Sequence, residues 1–155
     1  MIEEEIGEEL RKRGLMLATA ESCTGGLVGH KITNVTGSSD YYAGGVIAYA
    51  NKVKTEILHV SRETLEEKGA VSAECAKEMA IGVMKLLDSD IGIATTGIAG
   101  PGGGTPDKPV GLVYIALARK DYIDYKKHIF HRDRDGNKRE MADAALDMLK
   151  RYISI

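Results

Sequence analysis

The sequence has little cysteine, no long apolar run and almost no net charge. Its two cysteines among 155 residues, Cys23 and Cys75, form neither a ligand spacing nor a disulfide framework, which favours a reducing compartment. No apolar stretch approaches the roughly 20 residues that a membrane-spanning helix needs. The 21 basic and 23 acidic residues give a formal charge of −2, without the basic excess typical of broad nucleic-acid binding. The acidic N-terminus does not resemble a signal peptide. We therefore predict a cytoplasmic protein with neither membrane nor nucleic-acid partners.

The length and composition predict one globular domain. A chain of 155 residues with 43% hydrophobic and 28% charged residues can bury a core without disulfides or metal ions. We find no internal repeat and no linker, so the predicted domain spans residues 1–155.

Helical and strand patterns alternate along most of the chain. The predicted helices cover 2–13, 24–35, two short segments after Asn51 and Ser61, a longer segment after Ser72, and 137–153. The predicted strands cover 15–20, 45–50, 91–96, 110–118 and 122–130. This order predicts an α/β fold, a three-layer α/β/α sandwich with a mixed, mostly parallel sheet of about five strands.

Ser22 lies between the first predicted strand and the helix that Thr24, Gly25 and Gly26 would open. Ligands of α/β proteins bind where parallel strands end. The N–H groups of a first helical turn can bind a phosphate or a developing oxyanion. Position alone nevertheless favours a helix cap over a nucleophile, because serine is a common N-cap.

A nucleophilic serine needs a base, and the scattered histidines form no motif. If Asn51 is an N-cap, Lys52 and Lys54 stand at the first and third helical positions, where the helix dipole would lower a lysine pKa. We expect Lys52 to point outward, whereas Lys54 can form a serine–lysine pair, with Tyr49 able to relay a proton. Cys23 is a rival nucleophile without a histidine partner, and we interpret it as structural.

A glycine-rich loop, residues 97–109, follows the strand that ends at Thr95 and Thr96. Its spacing fits neither the dinucleotide-binding fingerprint nor the P-loop. Its prolines predict a shaped lid over the sheet edge that carries Ser22. The charged run 131–139 then offers an arginine for a phosphate, although such runs more often form a solvated turn.

Five ordered motifs make the chain similar to the C-terminal domain of the competence/damage-inducible protein CinA, a family that includes nicotinamide mononucleotide deamidases. The resemblance covers nearly the whole chain. Its motifs are Ala20-Glu-Ser-Cys-Thr-Gly-Gly26, Gly37-Ser-Ser39, Tyr49-Ala-Asn51 with Lys54, Gly69-Ala-Val-Ser72, and Thr96-Gly-Ile-Ala-Gly-Pro-Gly-Gly103 continuing through Lys108-Pro-Val-Gly111.

The resemblance implies metal- and cofactor-free hydrolysis of the carboxamide of nicotinamide mononucleotide. It implies that Ser22 is the nucleophile, that Lys54 and Tyr49 activate it, and that Thr96 lies close by. Thr24, Gly25, Gly26 and Gly97 complete the expected binding site. An arginine near the last helix should bind substrate; because the run departs from the family pattern, Arg134 and Arg139 are both candidates.

The resemblance further implies self-association as a dimer or trimer. Longer family members carry an N-terminal domain linked to nucleotide pyrophosphatase activity, which we do not expect of these 155 residues. Two rival hypotheses stay open: a nucleotide-binding or regulatory module without turnover, and an amidase for another amide.

Overall fold

The structure is a computed structural model that describes residues 1–153. The last two residues of the domain predicted over 1–155 lie outside that range. The helices are α1 (Ile2–Arg13), α2 (Leu27–Thr33), α3 (Asn51–Glu56), α4 (Arg62–Glu67), α5 (Ala73–Leu86) and α6 (Arg134–Ile153). The strands are β1 (Leu17–Glu21), β2 (Tyr42–Ile47), β3 (Ile91–Gly97), β4 (Leu112–Arg119) and β5 (Tyr122–Ile129), and a 3₁₀ turn covers Ser38–Asp40.

The five strands form one mixed sheet in the order β2-β1-β3-β4-β5. Strands β2, β1 and β3 are parallel, whereas β4 and β5 are antiparallel to their neighbours. Helices α1, α2 and α6 share an apolar core with one sheet face, and α5 packs on the other. The predicted α/β architecture is confirmed, and β1 occupies the centre of its parallel part.

The two sheet faces differ in side-chain size. The face toward α1, α2 and α6 carries large residues, among them Leu17, Ile93 and Ile115, while the face toward α5 carries alanines. At Gly92 an added Cβ would lie 2.2 Å from the Ala80 carbonyl oxygen of α5. Small residues therefore let α5 lie directly against the strands.

Three elements, α2, β2 and α6, have boundaries that differ from the prediction by three residues, and smaller differences occur at other strand ends. Helix α2 begins at Leu27 rather than at residue 24, because Gly25 and Gly26 adopt φ values of 59° and 107°. Strand β2 ends at Ile47, opposite the last residue of β1, so pairing stops before residues 48–50. Helix α6 begins at Arg134 instead of residue 137, where the Asp133 carboxylate accepts the Gly136 N–H as an N-cap does.

Over residues 1–153, no helix is both long and apolar enough to cross a bilayer.

Candidate active site

Ser22 immediately follows β1, the middle one of the three parallel strands, at the edge where these strands end. Its backbone N–H donates to the Thr95 carbonyl at 3.0 Å, which continues the pairing with β3 by one residue. The residue is 8% exposed and lines a pocket. A side chain so placed is held by the sheet yet accessible to a small molecule.

Lys54 brings its amine to Ser22. The residue is 1% exposed, and its Nζ lies 3.1 Å from Ser22 Oγ. The same nitrogen donates to the backbone carbonyls of Ala48 at 2.8 Å and Tyr49 at 2.9 Å. A neutral amine has two N–H groups, which the carbonyls can accept, and one lone pair, which would then face the serine hydroxyl. The geometry therefore suits a lysine that takes a proton from Ser22.

Burial lowers the pKa of Lys54. The predicted direction of the pKa shift agrees with the structure, but the predicted cause was wrong. Ala50, not Asn51, is the N-cap of α3, and Lys54 lies in the last turn of this six-residue helix. The C-terminal end of a helix dipole favours a protonated lysine. Desolvation of the ammonium form is the largest cause of the lowered pKa of Lys54, and Lys52 is exposed, as expected.

Tyr49 contributes its carbonyl to the pair rather than its hydroxyl. The side chain is 63% exposed, and within the described chain its hydroxyl has one hydrogen-bond partner, Arg134 Nη2 at 3.4 Å. The predicted proton relay through Tyr49 is therefore not formed. The 3.1 Å contact between Lys54 and Ser22 provides a direct path instead.

The start of α2 is capped by Glu21 rather than by Ser22, so the predicted helix-cap role of Ser22 was wrong. The Gly26 N–H donates to Glu21 Oε1 at 3.2 Å, and the Gly25 N–H donates to the Ser22 carbonyl at 3.1 Å. The amides of these two glycines are thus occupied. Of residues 22–26, only Cys23 and Thr24 keep backbone N–H groups without an acceptor among the described residues.

Two of the predicted threonines have structural partners. Thr24 Oγ1 donates to Glu21 Oε1 at 2.6 Å and lies 2.8 Å from Thr95 Oγ1, inside the protein. Thr96 lines the pocket, but its hydroxyl donates to the Ala70 carbonyl at 2.8 Å. The Thr24 side chain therefore supports the turn and does not face a ligand.

The pocket around Ser22 has a volume of about 280 Å³, near the lower end of the range for ligand sites. One wall is the glycine-rich loop from Gly97 to Gly103. This loop is tied to α6, because Asn137, which is fully buried, donates from Nδ2 to the Ala99 carbonyl at 2.9 Å. The predicted lid is thus a fixed wall along this part of its length.

The two candidate arginines lie in different places. Arg134 lines the pocket and donates from Nη1 to the Gly100 carbonyl at 2.8 Å. Arg139 is exposed, pairs with Asp135 at 2.8 Å and does not line the pocket. Lys138, one turn after Arg134, has its Nζ 3.5 Å from where a Cβ of Gly25 would stand. The second cation near the nucleophile turn, residues 22–25, is therefore Lys138, which was not predicted from the sequence.

Asn51 was predicted as an N-cap and not as a site residue. It lines the pocket beside Tyr49 and Lys54, and its side-chain amide makes no hydrogen bond to any residue in 1–153. Its position within the Tyr49-Ala50-Asn51 motif was the available signal.

Rival chemistries find little support at this site. Burial raises the pKa of Cys23 to about 12, so its thiol stays protonated, in agreement with a structural role. None of the four histidines lines the pocket. Among residues 1–153 no group of three or more His, Cys, Asp or Glu side chains is placed to hold a metal ion.

Comparison with known proteins places the chain in a family. The family model described as the CinA C-terminal domain matches residues 1–153. The chain belongs to this family. The predicted resemblance is thereby confirmed.

Individual proteins with family names are similar to the chain over nearly its whole length. A CinA-like protein of Salinibacter ruber is 48% identical over 154 residues, which is 99% of this chain and 37% of that protein. A competence-damage inducible protein of Halothermothrix orenii is 52% identical over 151 residues, 97% of this chain and 37% of its own length. The chain thus spans little more than a third of these curated relatives.

Solved structures of the family share the fold. The competence damage-inducible protein A of Klebsiella pneumoniae superposes with a TM-score of 0.95 at 33% identity, covering 99% of this chain and 95% of that chain. The competence/damage inducible protein CihA of Agrobacterium tumefaciens gives 0.93 at 37% identity, covering 96% and 91%. These names describe competence and damage induction.

Proposed function

We propose that this CinA-family domain hydrolyses the carboxamide of nicotinamide mononucleotide to nicotinate mononucleotide and ammonia. The observation that carries the proposal is the buried amine of Lys54, seated on two carbonyls and 3.1 Å from Ser22 Oγ. A serine next to a buried amine whose pKa is lowered is an arrangement that suits acyl transfer.

The reaction proceeds through an ester of Ser22. Neutral Lys54 accepts the hydroxyl proton as Ser22 Oγ attacks the amide carbon, and the N–H groups of Cys23 and Thr24 bind the oxyanion. Protonated Lys54 then returns that proton to the departing nitrogen, and ammonia leaves. Water, deprotonated by neutral Lys54, attacks the ester carbon; Lys54 then gives that proton to Ser22 Oγ as its bond to the acyl carbon breaks, and the acid product loses its own proton to solvent.

Two positively charged side chains near the pocket support the proposal that the substrate is a nucleotide. Arg134 and Lys138 lie one helical turn apart on α6; Arg134 lines the pocket, and Lys138 Nζ lies 3.5 Å from where a Cβ of Gly25 would stand. Arginine suits a phosphate because its planar N–H groups can bind two oxygens at once. A pocket of about 280 Å³ can enclose the ring and leave the phosphate at the rim beside these cations.

The direct test is ammonia release. Purified protein is incubated with nicotinamide mononucleotide, and ammonia and nicotinate mononucleotide are quantified. Saturable binding heat in calorimetry without ammonia would instead indicate a nucleotide-binding module. Inhibition by free nicotinamide, with turnover of amides that lack a phosphate, would indicate another amide substrate.

We also propose that residues 1–155 form one domain, that the protein is cytoplasmic, and that it self-associates as a dimer or trimer. Exposed apolar side chains at Ile47, Tyr49 and Ile57 give self-association some support. Sedimentation velocity over a range of protein concentrations measures it.

The pH dependence of kcat/KM should follow Lys54. Burial lowers the pKa of this amine, so the active neutral form gains population as pH rises through a pKa below the usual value of about 10.4. We expect a rising limb whose midpoint lies below that value. Circular dichroism over the same pH range checks that unfolding does not shape the profile, and a midpoint at the ordinary lysine value would contradict the assignment.

Replacing Arg134 or Lys138 with glutamine should weaken binding of the phosphate. We expect KM for nicotinamide mononucleotide to rise on the order of 10-fold or more with little change in kcat, as losing one charged hydrogen bond does. With nicotinamide riboside, which lacks the phosphate, the variants and the parent should have the same KM. Arg139→Gln is the matched control, because that arginine pairs with Asp135 away from the pocket. Equal effects of all three substitutions would contradict the assignment.

A further inference from the structure

Glu21 is a buried carboxylate directly before the nucleophile. It is 3% exposed, and no cation within residues 1–153 pairs with it. Its charge is instead stabilised by four donors: Thr24 Oγ1 at 2.6 Å, and the backbone N–H groups of Gly26, Val28 and Gly29 at 3.2, 2.8 and 3.0 Å. A charge kept inside the protein solely by hydrogen bonds holds its donors strongly in place.

These bonds fix both ends of the nucleophile turn, residues 22–25. At one end the Ser22 N–H is bound to the Thr95 carbonyl of β3. At the other, the Glu21 carboxylate holds the first amides of α2, while the hydroxyl of Thr24 bridges Glu21 and Thr95. These bonds hold the turn in the conformation that places Ser22 Oγ 3.1 Å from Lys54 Nζ.

The carboxylate also decides which amides a substrate can reach. Gly26, Val28 and Gly29 donate to Glu21, and Leu27 donates to the Thr24 carbonyl. The N–H groups of Cys23 and Thr24 are left for an oxyanion. A negative charge at the start of α2 disfavours a phosphate there, so the substrate phosphate is directed to the cations of α6.

We propose that Glu21 is the positioning residue of the nucleophile: its carboxylate occupies the first amides of α2, which holds Ser22 against Lys54 and reserves the Cys23 and Thr24 amides for the oxyanion. This inference rests on the proposed amide hydrolysis. Glu21 touches neither substrate nor reacting atom, so its substitution should change turnover far more than binding.

The test is Glu21→Gln, which keeps the shape, removes the charge and sets an amide nitrogen against the Gly29 N–H that Oε2 now accepts. We expect kcat for nicotinamide mononucleotide to fall on the order of 100-fold with KM within about 3-fold, as misplacement of a reacting group does. Ser61→Ala is the matched control: it removes the cap of α4, where Ser61 Oγ accepts the Thr64 N–H at 3.0 Å away from the pocket. It should lower Tm and leave kcat unchanged.

A second pair of variants serves if Glu21→Gln does not fold. Thr24→Val removes the 2.6 Å bond to Glu21 and should lower kcat in the same direction but less, while Thr24→Ser restores the hydroxyl and the activity. Equal kcat for Thr24→Val and the parent, or a folded Glu21→Gln with kcat within 3-fold of the parent, would overturn the proposal.

Labelling of Ser22 by a fluorophosphonate probe separates this inference from the proposed substrate. The probe reports serine reactivity without any natural substrate, and its rate should fall in Glu21→Gln and persist in Ser61→Ala. A parent protein that is labelled at Ser22 but releases no ammonia refutes the proposed function and leaves the role of Glu21 measurable. Equal labelling rates of parent and Glu21→Gln refute the positioning role alone.

Discussion

Replacing Ser22 with alanine is expected to lower ammonia release from nicotinamide mononucleotide on the order of 10⁴-fold or more, as removal of a nucleophile does in serine hydrolases. The hydroxyl lies 3.1 Å from the only amine that contacts it among residues 1–153, and the neighbouring Cys23 thiol, with its raised pKa, cannot substitute. Substrate binding, measured by calorimetry, should persist, since alanine removes one oxygen atom and adds nothing.

Ser38→Ala is the matched control for this substitution. Ser38 and Ser22 are both 8% exposed, yet Ser38 lies in the 3₁₀ turn and does not line the pocket. Its alanine variant should keep full activity and show any general cost of removing a buried hydroxyl. Full activity in Ser22→Ala would refute the serine mechanism.

Lys54→Met is expected to lower kcat by about 10²–10⁴-fold, the usual contribution of a general base. Methionine fills a similar apolar volume, so the buried site should remain packed. The loss should appear in single-turnover formation of the Ser22 ester, because the missing base acts before ammonia leaves. Stopped-quench measurement with mass spectrometry of the intact protein detects that ester.

Lys54→Arg separates a base from a fixed positive charge. Arginine retains the charge but cannot lose its proton in a protein, so it should be as inactive as methionine if Lys54 works in its neutral form. Lys52→Met, on the exposed side of the same short helix, should be fully active. Substantial activity in Lys54→Arg would show that Lys54 acts by its charge instead.

Much of the fold could be predicted because its elements carry strong local signals. The apolar strand cores and the helices that follow Ser61 and Ser72 are predicted from the sequence, and the structure confirms them, with both serines as N-caps. The boundaries that differ depend on pairing across the sheet. The sequence of β2 does not show that its register with β1 stops at Ile47.

The sequence predicted the residues of the candidate site better than it predicted their contacts. Ser22 and Lys54 are adjacent, as predicted, but Glu21 was not recognised as the cap because its carboxylate reaches amides five to eight residues ahead. Arg134 and Arg139 were both candidates on the family resemblance, and Lys138 was not named. Once α6 begins at Arg134, residue 138 lies one turn on and shares its face.

The Ala48 N–H donates to the Glu21 carbonyl at 2.8 Å. This bond links the backbone that accepts hydrogen bonds from Lys54 to the end of β1, next to Ser22. The nucleophile follows β1 and the base lies on α3, the helix that follows β2, so their separation depends on how β1 and β2 align. A slip of one residue would displace them by about 3.3 Å, a full strand step, and abolish the contact. The contact between Ser22 and Lys54 therefore forms only when β1 and β2 pair in this register. The proposed activity would then report the fraction of molecules in which the two strands are correctly aligned.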